Sequence, residues 1–376
     1  MTVLLAIDSF KGSLTSEEAE KAVSIGVRSV RPDCRIVCIP ISDGGEGMLE
    51  AIKSAVGGQE ISVACHDALM RPVTVRYLVL NYHQTAVIEM AQAAGLSLLS
   101  EAERDPLKTT TYGVGELILD ALNRGLRHFI VGLGGSATND GGTGMLTALG
   151  GRLFDEEGRE LMGCGANLSR IHRIDLSALH PALSESSFTV ACDVDSPFCG
   201  PRGATRVFAR QKGADADAVE YLEQGMNHLS QVIERQTGVD LQHRPGAGAA
   251  GGLGGMLMAL LGAKRVSGFD LLDEMGQIEC RVSEADLVIT GEGRADEQTL
   301  MGKVPLGMLK LARRHGVPVM LVAGQVDNVE LMRSAGFELV VQTTPADMPL
   351  DEAMKPTVAM EHITRAVAEC LKAYSS

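Results

Sequence analysis

Val3 to Ile7 is an unbroken apolar run, and it predicts a buried strand. Thr15 and Glu18 follow as a capping-box pair, ahead of Ala19, Ala22, Val23, Gly26, Val27 and Val30 at helical spacing. Ile36 to Ile41 predicts a second strand, and Met48, Ala51, Ile52 and Ala55 a second helix. A strand–helix–strand–helix opening of this kind demands a parallel sheet covered by helices, so the chain is an α/β protein.

The rhythm then changes. Val73 to Leu80 alternates and is followed, across Asn81-Tyr82-His83-Gln84, by Thr85 to Met90. This predicts an antiparallel ribbon. Val114, Leu117, Ile118, Ala121 and Leu122 make a helical stripe leading into a strand at Phe129 to Leu133. Phe188 to Ala191 is another strand, and Val219, Leu222, Met226 and Leu229 mark a longer helix. Near the end the opening rhythm returns, with strands at Leu287 to Thr290, Val319 to Ala323 and Glu338 to Val341. Pro305 sits at the first turn of one helix, and Val358, Ile363, Val367 and Leu371 belong to a closing one. A length of 376 residues argues for two domains. We expect a discontinuous domain, residues 1–62 and 281–376, with a second α/β domain, 63–280, inserted in it.

Several classes of function are disfavoured. A formal charge of -14 suits neither DNA nor RNA, whose phosphates need clustered Lys and Arg. No apolar stretch approaches the roughly 20 residues that span a bilayer. The first basic residue, Lys11, follows the apolar run instead of preceding it, unlike a signal peptide. The eight cysteines form no CxxC pair and read as reduced thiols of a cytoplasmic protein. His66, His83 and His243 show no metal-ligand spacing.

Chemistry is expected beyond the carboxyl ends of parallel strands. Five strand ends carry Gly, carboxylates and hydroxyls: Asp8-Ser9-Phe10-Lys11-Gly12-Ser13, Ser42-Asp43-Gly44-Gly45-Glu46-Gly47, Gly134 to Gly142, Cys192-Asp193-Val194-Asp195, and Gly291-Glu292-Gly293-Arg294-Ala295-Asp296 with Lys303 beyond. Any one of these reads as a turn. Together they hold what phosphoryl transfer needs: Gly for close approach to phosphates, carboxylates for Mg²⁺, a carboxylate for the acceptor hydroxyl, and cations for the charge that develops. Asp193 and Asp195 point to opposite faces, and Asp195 is favoured as base or metal ligand. Lys11, Arg294 and Lys303 are candidates for phosphate or substrate carboxylate; Arg71 and Arg104 are weaker.

Two Gly runs compete for the phosphates: Gly134-Gly135-Ser136, and Gly246 to Gly255 with Gly251 and Gly252 at its centre. The second run could equally serve close helix packing. Both touch a dinucleotide pattern, and an NAD-dependent dehydrogenase is the alternative enzyme. However, Gln242-His243-Arg244-Pro245, not a strand, precedes Gly246. Gly132, Gly134 and Ala137 do follow a strand, with Asp155 at the right distance, but Thr138 to Gly142 delays the helix that fingerprint requires. Gly302-Lys303 lacks the rest of a P-loop.

These loops, with Gln211-Lys212-Gly213-Ala214 and the Gly246 to Gly255 run, resemble the bacterial glycerate kinase family over nearly the whole chain. The resemblance implies ATP and D-glycerate as substrates, 2-phosphoglycerate as product, and Mg²⁺. It also implies a Rossmann-like domain split by a flavodoxin-like one, with the site in the cleft between them. Physical reasoning then distributes the roles. Asp195 would deprotonate or orient the C2 hydroxyl, and Lys11 would neutralise the transferring group. Asp43, Glu292 and Asp296 would be magnesium ligands. Arg294 or Lys303, with Ser9, would bind substrate, and Gly134, Gly135, Ser136, Gly251 and Gly252 would cradle ATP. A non-catalytic carboxylate sensor is the remaining alternative.

Overall fold

The computed structural model describes residues 1–41, 45, 47–81 and 84–374, except the side chain of Met301. The chain divides into two compact units. One comprises 1–43, 50–56 and 267–376, and the other 44–49 and 57–266. Among the described residues no helix is long and apolar enough to cross a membrane.

The first unit is built on a five-stranded parallel sheet in the order Leu339–Gln342, Val319–Val326, Leu287–Ala295, Thr2–Ile7, Arg35–Cys38. The opening apolar run is the strand it predicted, buried throughout from Val3. Thr15 and Glu18 close a reciprocal capping box on helix Ser16–Val30, whose Ala19, Ala22, Val23 and Val27 pack on one face of the sheet. The closing helix, Pro356–Tyr374, adds Ile363, Val367 and Leu371 to the same core. Gly26 lets the two helices touch: a Cβ there would stand 2.6 Å from the Thr364 carbonyl.

Two strand ends differ from expectation. Arg35–Cys38 stops three residues short of Ile41. Leu287–Ala295 continues well past Thr290, because Arg294 and Ala295 still pair with Gln325 and Val326 of the neighbouring strand. Gly291, Glu292 and Gly293, which read as a loop, are therefore held rigidly in a strand.

The second unit has a six-stranded mixed sheet in the order Lys264–Val266, Ser187–Ala191, His128–Gly132, Thr85–Glu89, Pro72–Leu80, Gln59–His66. The expected antiparallel pair is present, since Leu78 and Leu80 face Val87 and Thr85. Gln59–His66 extends it as a third antiparallel neighbour, a strand that charged and polar positions concealed. A small three-stranded sheet, around Arg152–Phe154, also gave no legible period. Val114, Leu117 and Ile118 of helix Tyr112–Asn123 join Phe129, Val131 and Phe188 in the core.

Candidate functional site

Within the first unit, a cavity of 1010 Å³ opens at the carboxyl ends of Thr2–Ile7, Leu287–Ala295, Val319–Val326 and Leu339–Gln342. Ser9, Lys11, Glu292, Arg294, Asp296 and Lys303 all line it. Strands paired in register bring these positions together from opposite ends of the sequence: Ile7 stands beside Gly291, and Ala295 beside Val326.

Loop 8–14 is a closed turn. Phe10 N donates to the Leu14 carbonyl at 2.9 Å and Ser13 N to the Phe10 carbonyl at 2.7 Å. Gly12 takes φ +79°, a conformation that costs other residues strain. Lys11 stands exposed at the tip. Ser9 is half-buried, and its N–H donates to Asp8 Oδ1 at 2.8 Å.

Glu292 is buried on its strand. Its Oε1 accepts from Thr299 Oγ1 at 2.6 Å and its Oε2 lies 3.1 Å from Lys303 Nζ. Burial pushes this carboxyl above its ordinary range, although Lys303 and Thr299 pull it back. Asp296 caps the turn Glu297–Met301, accepting from Gln298 N at 2.8 Å. Arg294, on the rim, makes a two-pronged pair with Asp327, at 3.1 and 2.7 Å. Asp43 lies outside the described residues.

The remaining candidates belong to the second unit. Gly134 and Ser136 are half-buried and Gly135 is exposed, with φ +74°. The loop that continues from the first Gly run touches the second run: Gly141 N donates to the Gly251 carbonyl at 2.9 Å. Gly251 and Gly252 are both buried and left-handed, and a Cβ on Gly251 would meet the Thr138 carbonyl at 2.0 Å. Close packing of the two loops is what these glycines permit. Asp195 is exposed and lies 2.7 Å from Arg265, while Asp193 is half-buried.

Two residues stand in motifs that carry the family resemblance but were given no role from the sequence. Asp140 is wholly buried and accepts from Thr111 N, Thr111 Oγ1, Gly142 N and Gly144 N, at 2.7 to 3.1 Å. Burial raises its carboxyl against these bonds. Lys212, also buried, donates to Ser136 Oγ and the Thr138 carbonyl. Arg206, Arg210 and Lys212 together resemble an ordinary basic surface segment, and nothing in the spacing separates Lys212 from the others.

The dinucleotide reading finds no support here. After strand His128–Gly132 the next helix is Thr143–Ala148, far past the glycines. Asp155 is buried in a turn, held by Arg159 at 2.8 Å. His66 pairs with Glu116 and His243 with Asp240; His83 lies outside the described residues. All eight cysteines are free thiols.

An α/β chain with its carboxylates, lysines and glycine turns gathered at strand ends has the build of an enzyme of small polar substrates. Comparison gives the family. The model of the glycerate kinase family matches residues 3–375. A Bacillus subtilis glycerate kinase is 42% identical over 374 residues, covering 99% of this chain and 98% of the relative. An Escherichia coli glycerate 2-kinase is 41% identical over 367 residues, covering 97% and 96%. The crystal structure of a protein assigned as glycerate kinase 2 from Salmonella typhimurium LT2 superposes with a TM-score of 0.80 at 40% identity, covering 100% of this chain and 99% of that one. The chain belongs to the glycerate kinase family.

Proposed function

We propose that this protein transfers the γ-phosphoryl group of ATP to the C2 hydroxyl of D-glycerate, giving 2-phosphoglycerate. The observation that carries the reading is the end-to-end match to glycerate kinases, joined to a cavity that collects Ser9, Lys11, Glu292, Arg294, Asp296 and Lys303. We read the first unit as the Rossmann-like domain and the second as the flavodoxin-like one, and place the enzyme in the cytoplasm with its ATP.

Lys11, on a stiff turn, neutralises the transferring group. Arg294 holds the substrate carboxylate: its pairing with Asp327 uses two of five N–H donors, so another edge of the guanidinium remains. Lys303 is the second candidate for that role, and Ser9 supplies a hydroxyl to the same ligand. Asp195 orients or deprotonates the C2 hydroxyl. Gly134, Gly135 and Ser136 bind the ATP phosphates, with Gly251 and Gly252 packed against the continuation of the same loop, at Thr138 to Gly141.

Magnesium suits this donor set. It is a hard cation that takes one or two carboxylates together with phosphate oxygens and water, and Glu292 and Asp296 face one cavity. These two, with Asp43, would hold the ion, directly or through water. When bound it supplies charge neutralisation at the triphosphate.

The test is a ³¹P NMR spectrum of the protein with MgATP and D-glycerate, beside an L-glycerate control. A new phosphomonoester signal coupled to one proton is expected. Coupling to two protons would move the phosphate to C3. Untouched ATP would remove the assignment.

A further inference from the structure

Lys212 is only 2% exposed. Burying an amine is costly unless it is well paired, and burial lowers this one to about 7, with the nearby Asp140 carboxylate acting the other way. Asp140 holds the far end of the loop that Lys212 touches, accepting four hydrogen bonds from Thr111, Gly142 and Gly144.

The contacts of Lys212 suggest a different use. Nζ donates to the Thr138 carbonyl and to Ser136 Oγ, both at 2.7 Å. A carbonyl can only accept, so Thr138 fixes the direction of one N–H. Ser136 Oγ accepts another, and its own proton is then turned away from Lys212. Ser136 is half-buried, so part of the residue is open to solvent.

A row of donors lies beside it. The backbone N–H groups of Gly134, Gly135 and Ser136 meet no acceptor among the described residues, whereas on either side Leu133 N binds the Ala191 carbonyl and Ala137 N the Ala94 carbonyl. Gly135 is left-handed at φ +74°. Successive N–H groups in such a turn form a concave anion site.

We propose that Gly134–Ser136 is a phosphate subsite in which Lys212 is a positioning residue, holding Ser136 Oγ from behind so that its hydroxyl donates outward to a phosphate oxygen. The ligand is a phosphoryl group of the nucleotide, so the proposal rests on the kinase reading above. Lys212 acts through Ser136 and itself touches no ligand.

The experiment is steady-state kinetics of Ser136→Ala, Ser136→Thr, Lys212→Met and the Ser136→Ala/Lys212→Met double variant, with ADP titrated calorimetrically into each. Ser136→Ala should raise KM for ATP about tenfold, the scale of one hydrogen bond to a charged group, and leave KM for D-glycerate within about twofold. Ser136→Thr keeps the hydroxyl and should lose clearly less affinity for ATP than Ser136→Ala. Lys212→Met should reproduce the Ser136→Ala defect, and the double variant should be no worse than Ser136→Ala alone. Should Lys212→Met not fold, the Ser136 pair decides. A normal KM for ATP in Ser136→Ala, equal losses for both substrates, or multiplying defects in the double variant would overturn the proposal. Equal ADP affinity in wild type and Ser136→Ala removes the subsite and leaves the kinase standing. A wild type that neither binds ADP nor consumes ATP removes both.

Discussion

Lys303 Nζ and Glu292 Oε2 lie 3.1 Å apart, with the glutamate buried and the lysine 28% exposed. Removing one partner of a buried pair leaves the other charge uncompensated, at a cost of about 3–5 kcal/mol. Partial exposure of Lys303 screens the pair, so about 2 kcal/mol is the better figure. Lys303→Met should therefore lower the melting temperature by several degrees. Adding Glu292→Gln should recover most of the loss, because no buried carboxylate then lacks its cation. Thermal melts of the wild type and the two variants test this; a double variant less stable than Lys303→Met would refute it.

Lys11 is exposed at the tip of a turn that the Phe10–Leu14 bridge and Gly12 define without it. Lys11→Ala should leave the melting temperature within a degree or so of wild type, since exposed substitutions change stability little, about ±0.5 kcal/mol. Turnover should fall at least about 100-fold, the scale for losing one preorganised electrostatic group. Normal turnover would take Lys11 out of the site.

The first unit was legible where a central strand is buried on both faces and where a helix carries a start signal. Val3 to Ile7 and the Thr15–Glu18 box each announce one element. Gln59–His66 was missed although Ile61, Val63 and Cys65 alternate with exposed Glu60, Ser62 and Ala64: the run is short, and the small Ala64 and Cys65 blur its contrast, yet Val63 and Cys65 are buried in the core. The strand extension through Glu292 was hidden for another reason. Gly291 and Gly293 look like turn residues, yet here Gly291 admits the neighbouring strand: a Cβ there would sit 2.1 Å from the Val322 carbonyl. Of the candidate site, the loop residues of the first unit could be read from their positions after strands. Lys212 stands in a motif that carries the family resemblance, but its role was not legible, because that role lies in burial and in contacts with Ser136 and Thr138, more than seventy residues away.

Gly251 has φ +63° and a Cβ position 2.0 Å from the Thr138 carbonyl. Backbone must shift to admit any side chain there, and the left-handed conformation adds strain. Gly251→Ala should cost about 3 kcal/mol or more, the range of a severe core lesion. Gly125 is also left-handed, but nothing lies within 4 Å of its Cβ position. Gly125→Ala should cost only about 1–2 kcal/mol from conformation alone. Chemical denaturation of both separates the two terms, and equal losses would show that the contact at Thr138 is relieved at no cost.

Glu20 sits on helix Ser16–Val30 at 3% exposure, with Oε1 unpartnered. Burial lifts its carboxyl to about 8, only partly offset by the Ile7 backbone and the Cys38 side chain. In the unfolded chain the same group titrates near 4.5. Between these values the folded protein keeps a proton that the unfolded chain has lost, so stability falls as pH rises through the window. One proton changes stability by about 1.4 kcal/mol per pH unit. Below the window Glu20 costs nothing, and above it the full penalty is present. Glu20→Gln keeps the shape without the charge. It should match wild type in stability at pH 4 and exceed it by a few kcal/mol at pH 9, measured by urea unfolding at both. An advantage that does not grow with pH would mean that Glu20 is ionised in the folded protein, with a partner for its charge.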